Sequence, residues 1–145
     1  MVKRILTDES PDEALEIALV ALDEGDDESA RDALRYALHD LNMNYKDALE
    51  SQLTRLMMHI LKWRIQPERR SGSWAGSIAN ARHEISRIQR RKPSLNRRFV
   101  ESIWEDCFRA ALREAQAETV VKAFSVNVLT WRETFKEEYF IAKEQ

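Results

Sequence analysis

A chain of 145 residues with 43% apolar and 33% charged side chains is long enough for one domain with a true core and too apolar for disorder. Three glycines and three prolines are too few for a turn-rich β architecture, and a single cysteine, Cys107, excludes an internal disulfide. No stretch approaches the roughly 18 apolar residues of a membrane span, and the opening residues Met1 to Leu6 lack a signal-peptide run, so a cytoplasmic chain without a membrane span is expected.

The net charge of −2 conceals a segregation. Residues 1–50 carry 14 acidic and 5 basic side chains, whereas residues 62–98 carry 11 basic and 2 acidic ones. Such a pattern produces a dipolar surface or an acid-to-base contact within the molecule.

Ser10-Pro11-Asp12-Glu13 supplies an N-cap, a proline at the first helical position and a glutamate that completes a capping box. Ala14, Leu15, Ala18, Leu19 and Leu22 follow at spacings of three and four, until Gly25-Asp26-Asp27 stops this acidic helix. From Ser29 a second stripe carries Ala33, Leu34, Ala37, Leu38 and Leu41 on one face. Asn42-Met43-Asn44 interrupts it, because asparagine favours caps and turns. The stripe resumes with Tyr45, Ala48, Leu49, Leu53, Leu56, Met57, Ile60, Leu61 and Trp63, so residues 29–65 are expected as two helices, or as one kinked near Asn44. Residues 56–63 are apolar around most of the helix circumference, which is the signature of an element wrapped by others.

Pro67 disfavours helix at Gln66, and residues 66–73 read as a loop turned by Gly72. Ser73 stands where it can cap a third helix. Its Trp74, Ile78, Ala81, Ile85 and Ile88 share one arc, while His83, Arg87, Arg90 and Arg91 project from the opposite arc. After Lys92-Pro93-Ser94, Ser94 or Asn96 can cap a long fourth helix bearing Phe99, Val100, Ile103, Trp104, Phe108, Ala111, Leu112 and Ala115. The valine-rich residues 119–127 suggest a short extended or turn segment. Thr130 and Glu133 repeat the capping box ahead of a short last helix, with Phe135, Tyr139 and Phe140 as its aromatic docking face.

The most distinctive stretch, residues 49–74, opens with Leu49-Glu50-Ser51-Gln52-Leu53 and continues through Leu56-Met57-Met58-His59-Ile60-Leu61-Lys62-Trp63, Gln66-Pro67-Glu68-Arg69-Arg70-Ser71 and Ser73-Trp74. These motifs, in this order, resemble the bacterial family called "domain of unknown function 29". The similarity runs on through Pro93-Ser94-Leu95 to Thr130-Trp131, over residues 30–140, while the acidic residues 1–28 depart from the family's usual opening. The resemblance implies an all-helical fold, and it supplies no activity, cofactor or catalytic residue to carry over.

The expected fold is therefore all-α: one domain over residues 1–145, an irregular bundle of five or six helices around a central helix near residues 45–65. The leading functional expectation is a non-enzymatic binding or regulatory module whose basic surface, residues 62–98, docks an acidic protein or another anionic partner. Lys62 and Arg64 would contribute from the end of the central helix, Glu68, Arg69 and Arg70 from the loop after it, and His83, Arg87, Arg90, Arg91 and Lys92 from the third helix. Arg97 and Arg98 would join them from the fourth. Guanidinium groups suit bidentate contacts to carboxylate or phosphate, but the same residues also serve as helix-end compensation and as a solvated face.

Two alternatives stand beside this reading: nucleic-acid binding, as in a component of a toxin–antitoxin-like system, and an enzyme built on Glu68-Arg69-Arg70. The expected partner is a protein, with nucleic acid as the alternative, no membrane, and a homo-oligomer left open. His39, His59 and His83 lack HxxH or HExxH spacing, so neither a metal nor a cofactor is expected. His59 reads as a hydrogen-bonded core histidine, Cys107 as a small filler, and the four tryptophans as anchors between helices.

Overall fold

Three side chains start the first helix. In the computed structural model, which describes residues 6–119, 126 and 128–142, Ser10 Oγ accepts from the Glu13 amide at 3.3 Å and Glu13 Oε2 accepts from the Ser10 amide at 3.2 Å. Pro11, whose missing N–H costs nothing in the first turn, opens α1 (Pro11–Asp23). The helix ends in a Schellman turn: Gly25, at φ +75°, donates to the Leu22 carbonyl at 3.0 Å and Asp26 donates to the Ala21 carbonyl at 2.8 Å. Asp26 Oδ1 then accepts from the Ser29 amide at 3.2 Å and starts α2 (Asp27–Ile65). Helices joined so tightly reverse direction, and Tyr36 closes the open end of the hairpin by donating to the carbonyls of Thr7 and Glu9 at 3.1 and 3.0 Å.

The chain forms two compact units, Met1–Asp47 and Ala48–Gln145. In the first, the buried residues are alanines: Ala14, Ala18 and Ala21 on α1, and Ala30, Ala33 and Ala37 on α2. The leucines assigned to the same stripes, Leu15, Leu19, Leu22, Leu34, Leu38 and Leu41, are 40 to 63% exposed, which corrects the expected burial. Alanine lets two backbones approach closely, and the seam settles on it at the leucines' expense. The expected interruption at residues 42–44 is also absent, and α2 is one helix. Asparagine costs at most about 0.7 kcal/mol per helical position, too little to stop a helix between good formers.

In the second unit, Leu49, Leu53, Leu56, Met57, Ile60 and Leu61 of α2 are completely buried, so the expected central element is present. Around these side chains the core adds Ile78, Ala81 and Ile85 from α3 (Gly72–Arg91), then Leu95, then Val100 from α4 (Arg97–Ser102). Cys107, Phe108, Ala111 and Ala115 complete it from α5 (Trp104–Glu118). The segment before α3 holds a 3₁₀ turn, Pro67–Arg69, and the cap of α3 is Ser71 instead of Ser73, its hydroxyl accepting from the Trp74 amide at 3.2 Å.

The long fourth helix of the sequence reading is two helices. Asn96 caps α4 as expected, accepting from Phe99 N–H at 3.1 Å. Ser102 Oγ then lies 2.5 Å from the Phe99 carbonyl, and Ile103 takes φ −104° and ψ 2° with an N–H bond to Val100 three residues back. A serine hydroxyl competing for a helix carbonyl at this point accompanies the break. The last helix, α6 (Trp131–Phe135), has the expected capping box, with Thr130 and Glu133 exchanging bonds of 3.1 Å. Phe140, expected to dock, is 65% exposed. The valine-rich stretch lies outside the described residues, save Thr119 and Val126. Among the described residues there are six α-helices and no strand.

Candidate functional site

Nine of the eleven cations of residues 62–98 fall into two sets by their partners. Lys62 Nζ stands 2.8 Å from Glu118 and 4.9 Å from the Trp74 ring centre, linking the end of α2 to α3 and α5. Arg64 pairs with Glu133 and, at 3.6 Å, with Glu137. Arg70 Nε donates to the Trp63 carbonyl at 2.7 Å, satisfying one of the acceptors left open at the end of α2, and its guanidinium lies 5.1 Å from the Trp63 ring centre. Arg97 bonds Glu101 at 2.8 Å and lies over Trp131 at 4.3 Å. These four tie neighbouring segments of the second unit to one another.

The second set faces solvent. Arg87 is exposed and shares Glu84 at 3.1 Å, while Arg90 and Arg91, also exposed, occupy the last turn of α3. Lys92 is half-buried, and Arg98 is exposed in the first turn of α4. The Leu95 amide donates to the Lys92 carbonyl at 3.0 Å, a tight turn between α3 and α4 with Arg90, Arg91 and Lys92 immediately before it and Arg98 shortly after it. Arg90 and Arg91 suit the negative end of α3, whereas Arg98 stands in the first turn of the short α4. Glu68 and Arg69 on the 3₁₀ turn and His83 in the middle of α3 are exposed and lie outside this corner.

Next to α4 is an open recess of about 310 Å³, lined by Glu101, Trp104, Leu129 and Trp131. Trp104 is held by its N–H, which donates to the Leu129 carbonyl at 2.9 Å, and its ring stacks on Trp131 at 5.6 Å. Phe135 supports Trp131 from 4.5 Å. The carboxylate at the rim is already engaged by Arg97, so the recess offers mainly indole surface.

Arg82 is the residue that sequence reasoning passed over. It counts toward the basic segment, yet its guanidinium turns inward, donating to the carbonyls of Thr134 at 2.8 Å and Glu133 at 3.4 Å, with Tyr139 5.5 Å away. Tyr139 O–H donates to the same Glu133 carbonyl at 2.8 Å. Arg82 lies one residue after the buried Ala81, a flank position that a helical wheel distinguishes from the outer arc of His83 and Arg87, and that is the signal that could have found it.

His59 Nδ1 is buried without a hydrogen-bond partner, where a bonded core histidine was expected. Burial, then the positive charges of Lys62 and Arg55, hold its imidazole below the ordinary range, so it stays neutral. Cys107 is buried, its Sγ 3.7 Å from the Glu50 carbonyl, and burial pushes the thiol up, which leaves it protonated and unreactive. Among the described residues no three His, Cys, Asp or Glu side chains gather to hold a metal ion, and no helix is long and apolar enough to cross a membrane.

A family model described as a domain of unknown function, DUF29, matches residues 27–141, from the first residue of α2 to beyond α6. No curated protein and no solved structure matches the chain.

Proposed function

This chain belongs to the DUF29 family, and from that premise we propose that it is a cytoplasmic, non-enzymatic binding module whose α3–α4 corner docks an acidic segment of a partner protein. The observation that carries this reading is the corner itself. Lys62, Arg64, Arg70 and Arg97 have partners within the fold, but Arg90, Arg91, Lys92 and Arg98 make no ion pair among the described residues and crowd like charge around one turn. A docked carboxylate would offset this concentration of positive charge. The free Cys107 thiol fits a reducing compartment.

An acidic protein suits the corner better than a nucleic acid does. Each phosphate gripped on a nucleic acid needs its own cation, about 6 to 10 of them in a strongly salt-dependent binder, and this corner offers fewer. The test is titration of a labelled glutamate-rich peptide into the full chain at two salt concentrations. Salt-sensitive binding is expected, weakened about tenfold or more in Arg90→Glu/Arg91→Glu/Arg98→Glu, since each exposed pair contributes about 0.2 to 1 kcal/mol. Equal binding by the triple variant rejects the corner. Tighter binding of duplex DNA than of the peptide would replace the acidic-protein reading with the nucleic-acid one.

A further inference from the structure

The leucines left outside the alanine seam occur in a register. The seam fixes the direction in which each helix of the hairpin faces the other, through Ala14, Ala18 and Ala21 on α1 and Ala30, Ala33 and Ala37 on α2. At about 100° per residue, Leu15, Leu19 and Leu22 are turned about a quarter turn from that direction on α1. Leu34, Leu38 and Leu41 are turned from it in the same sense on α2. In an antiparallel pair, equal turns in the same sense arrive on the same side, so the two rows merge into one leucine face. Ile17 and Tyr36, turned the other way, are both half-buried.

The size of this face is that of an interface. The six leucines are exposed by 42, 63, 51, 46, 59 and 40%, which amounts to about three whole leucine side chains. That is an apolar patch on the order of 500 Å², as large as the patches that mark interaction sites on monomers. Two such faces closed on each other would hide about 1,000 Å², the threshold for a specific association.

The charged rims say what closes it. Along α1 the outer rim is acidic, with Asp12, Glu16 and Asp23 exposed. Along α2, beyond the acids Asp27 and Glu28 of its first turn, the outer rim carries the exposed Arg31 and Arg35. In the hairpin Glu16 stands at the level of Arg35, and Asp23 within a turn of Arg31. A two-fold axis parallel to the helices lays α1 of one hairpin on α2 of another and brings each acidic rim against a basic one.

We propose that this face is the self-association surface of the chain, two hairpins packing leucine to leucine as a four-helix bundle about that axis. The inference is independent of the α3–α4 corner. It is tested by sedimentation equilibrium of the full chain across the micromolar range. A dimer is expected, and Leu19→Glu/Leu38→Glu should be a monomer of unchanged helix content, because both side chains already face water in the single chain. Glu16→Arg should weaken the dimer about tenfold, since the axis repeats the contact, and adding Arg35→Glu should restore it. A wild-type monomer throughout, or a dimer indifferent to the double leucine substitution, overturns the proposal.

Discussion

A neutral histidine with an orphaned ring nitrogen makes stability depend on pH in a definite direction. His59 titrates near 6.5 in the unfolded chain, and burial with Lys62 and Arg55 nearby holds it lower in the folded one. Between those two values the unfolded state binds more protons than the native state, so stability rises with pH through this window and falls as pH drops below about 6.5. His59→Met removes the titration and the orphaned Nδ1 together. Its urea midpoint should exceed the wild type's by an amount equivalent to about 1 kcal/mol at pH 7, and the gap should widen on acidification. Parallel pH profiles for the two proteins would contradict this account. Arg82 acts in the opposite sense, since its guanidinium satisfies carbonyls near the end of α6 beside the fully buried Thr134. Arg82→Met should lose about 2 to 3 kcal/mol in urea unfolding. Arg82→Lys should recover only part of that, because an ammonium cannot reproduce the planar fork.

Local chemistry decides where these helices start and stop, and that chemistry is largely legible. Ser10 with Glu13, Thr130 with Glu133, and Asn96 each cap as their side chains dictate, since a cap needs only groups within three residues. Gly25 is the same kind of signal. It takes the left-handed conformation that ends α1, so Gly25→Ala should cost about 1 to 2 kcal/mol in thermal or urea unfolding although nothing lies near the added methyl. An unchanged midpoint would show the turn relaxing to another form. The errors arise where two solutions compete at similar cost. Ser71 and Ser73 both offer a hydroxyl near the start of α3, and Leu15 and Ala14 sit one residue apart, so either could lead a stripe of helical period. Only the partner helix decides between them. The basic segment was legible as composition, but the division of its cations was not. The bond from Arg70 to Trp63 is short in sequence, whereas those of Lys62 and Arg82 reach Glu118 and Thr134, more than fifty residues away.

At the scale of the whole chain, the boundary between the two compact units falls inside the range of α2, and each unit has a core of its own kind. The part of α2 within Met1–Asp47 buries alanines, while the part within Ala48–Gln145 buries Leu49, Leu53, Leu56, Met57, Ile60 and Leu61. A buried leucine or isoleucine contributes about 1.5 to 3 kcal/mol, and an alanine methyl contributes about 0.8 kcal/mol or less. Local opening of the hairpin therefore requires much less free energy than opening of the second core, although both segments are regular helix with the same backbone bonding. Native-state hydrogen exchange at high dilution should accordingly show slow amides at residues 53–61 and much faster ones at residues 31–37, with the step near Asp47. Raising the chain concentration should slow residues 31–37 selectively if hairpins pair through their leucines, because pairing adds its own free energy to the opening of that segment alone. Uniform protection along α2 at dilution would mean that the helix opens as one unit, and the difference between an alanine seam and a leucine core would then carry no energetic weight.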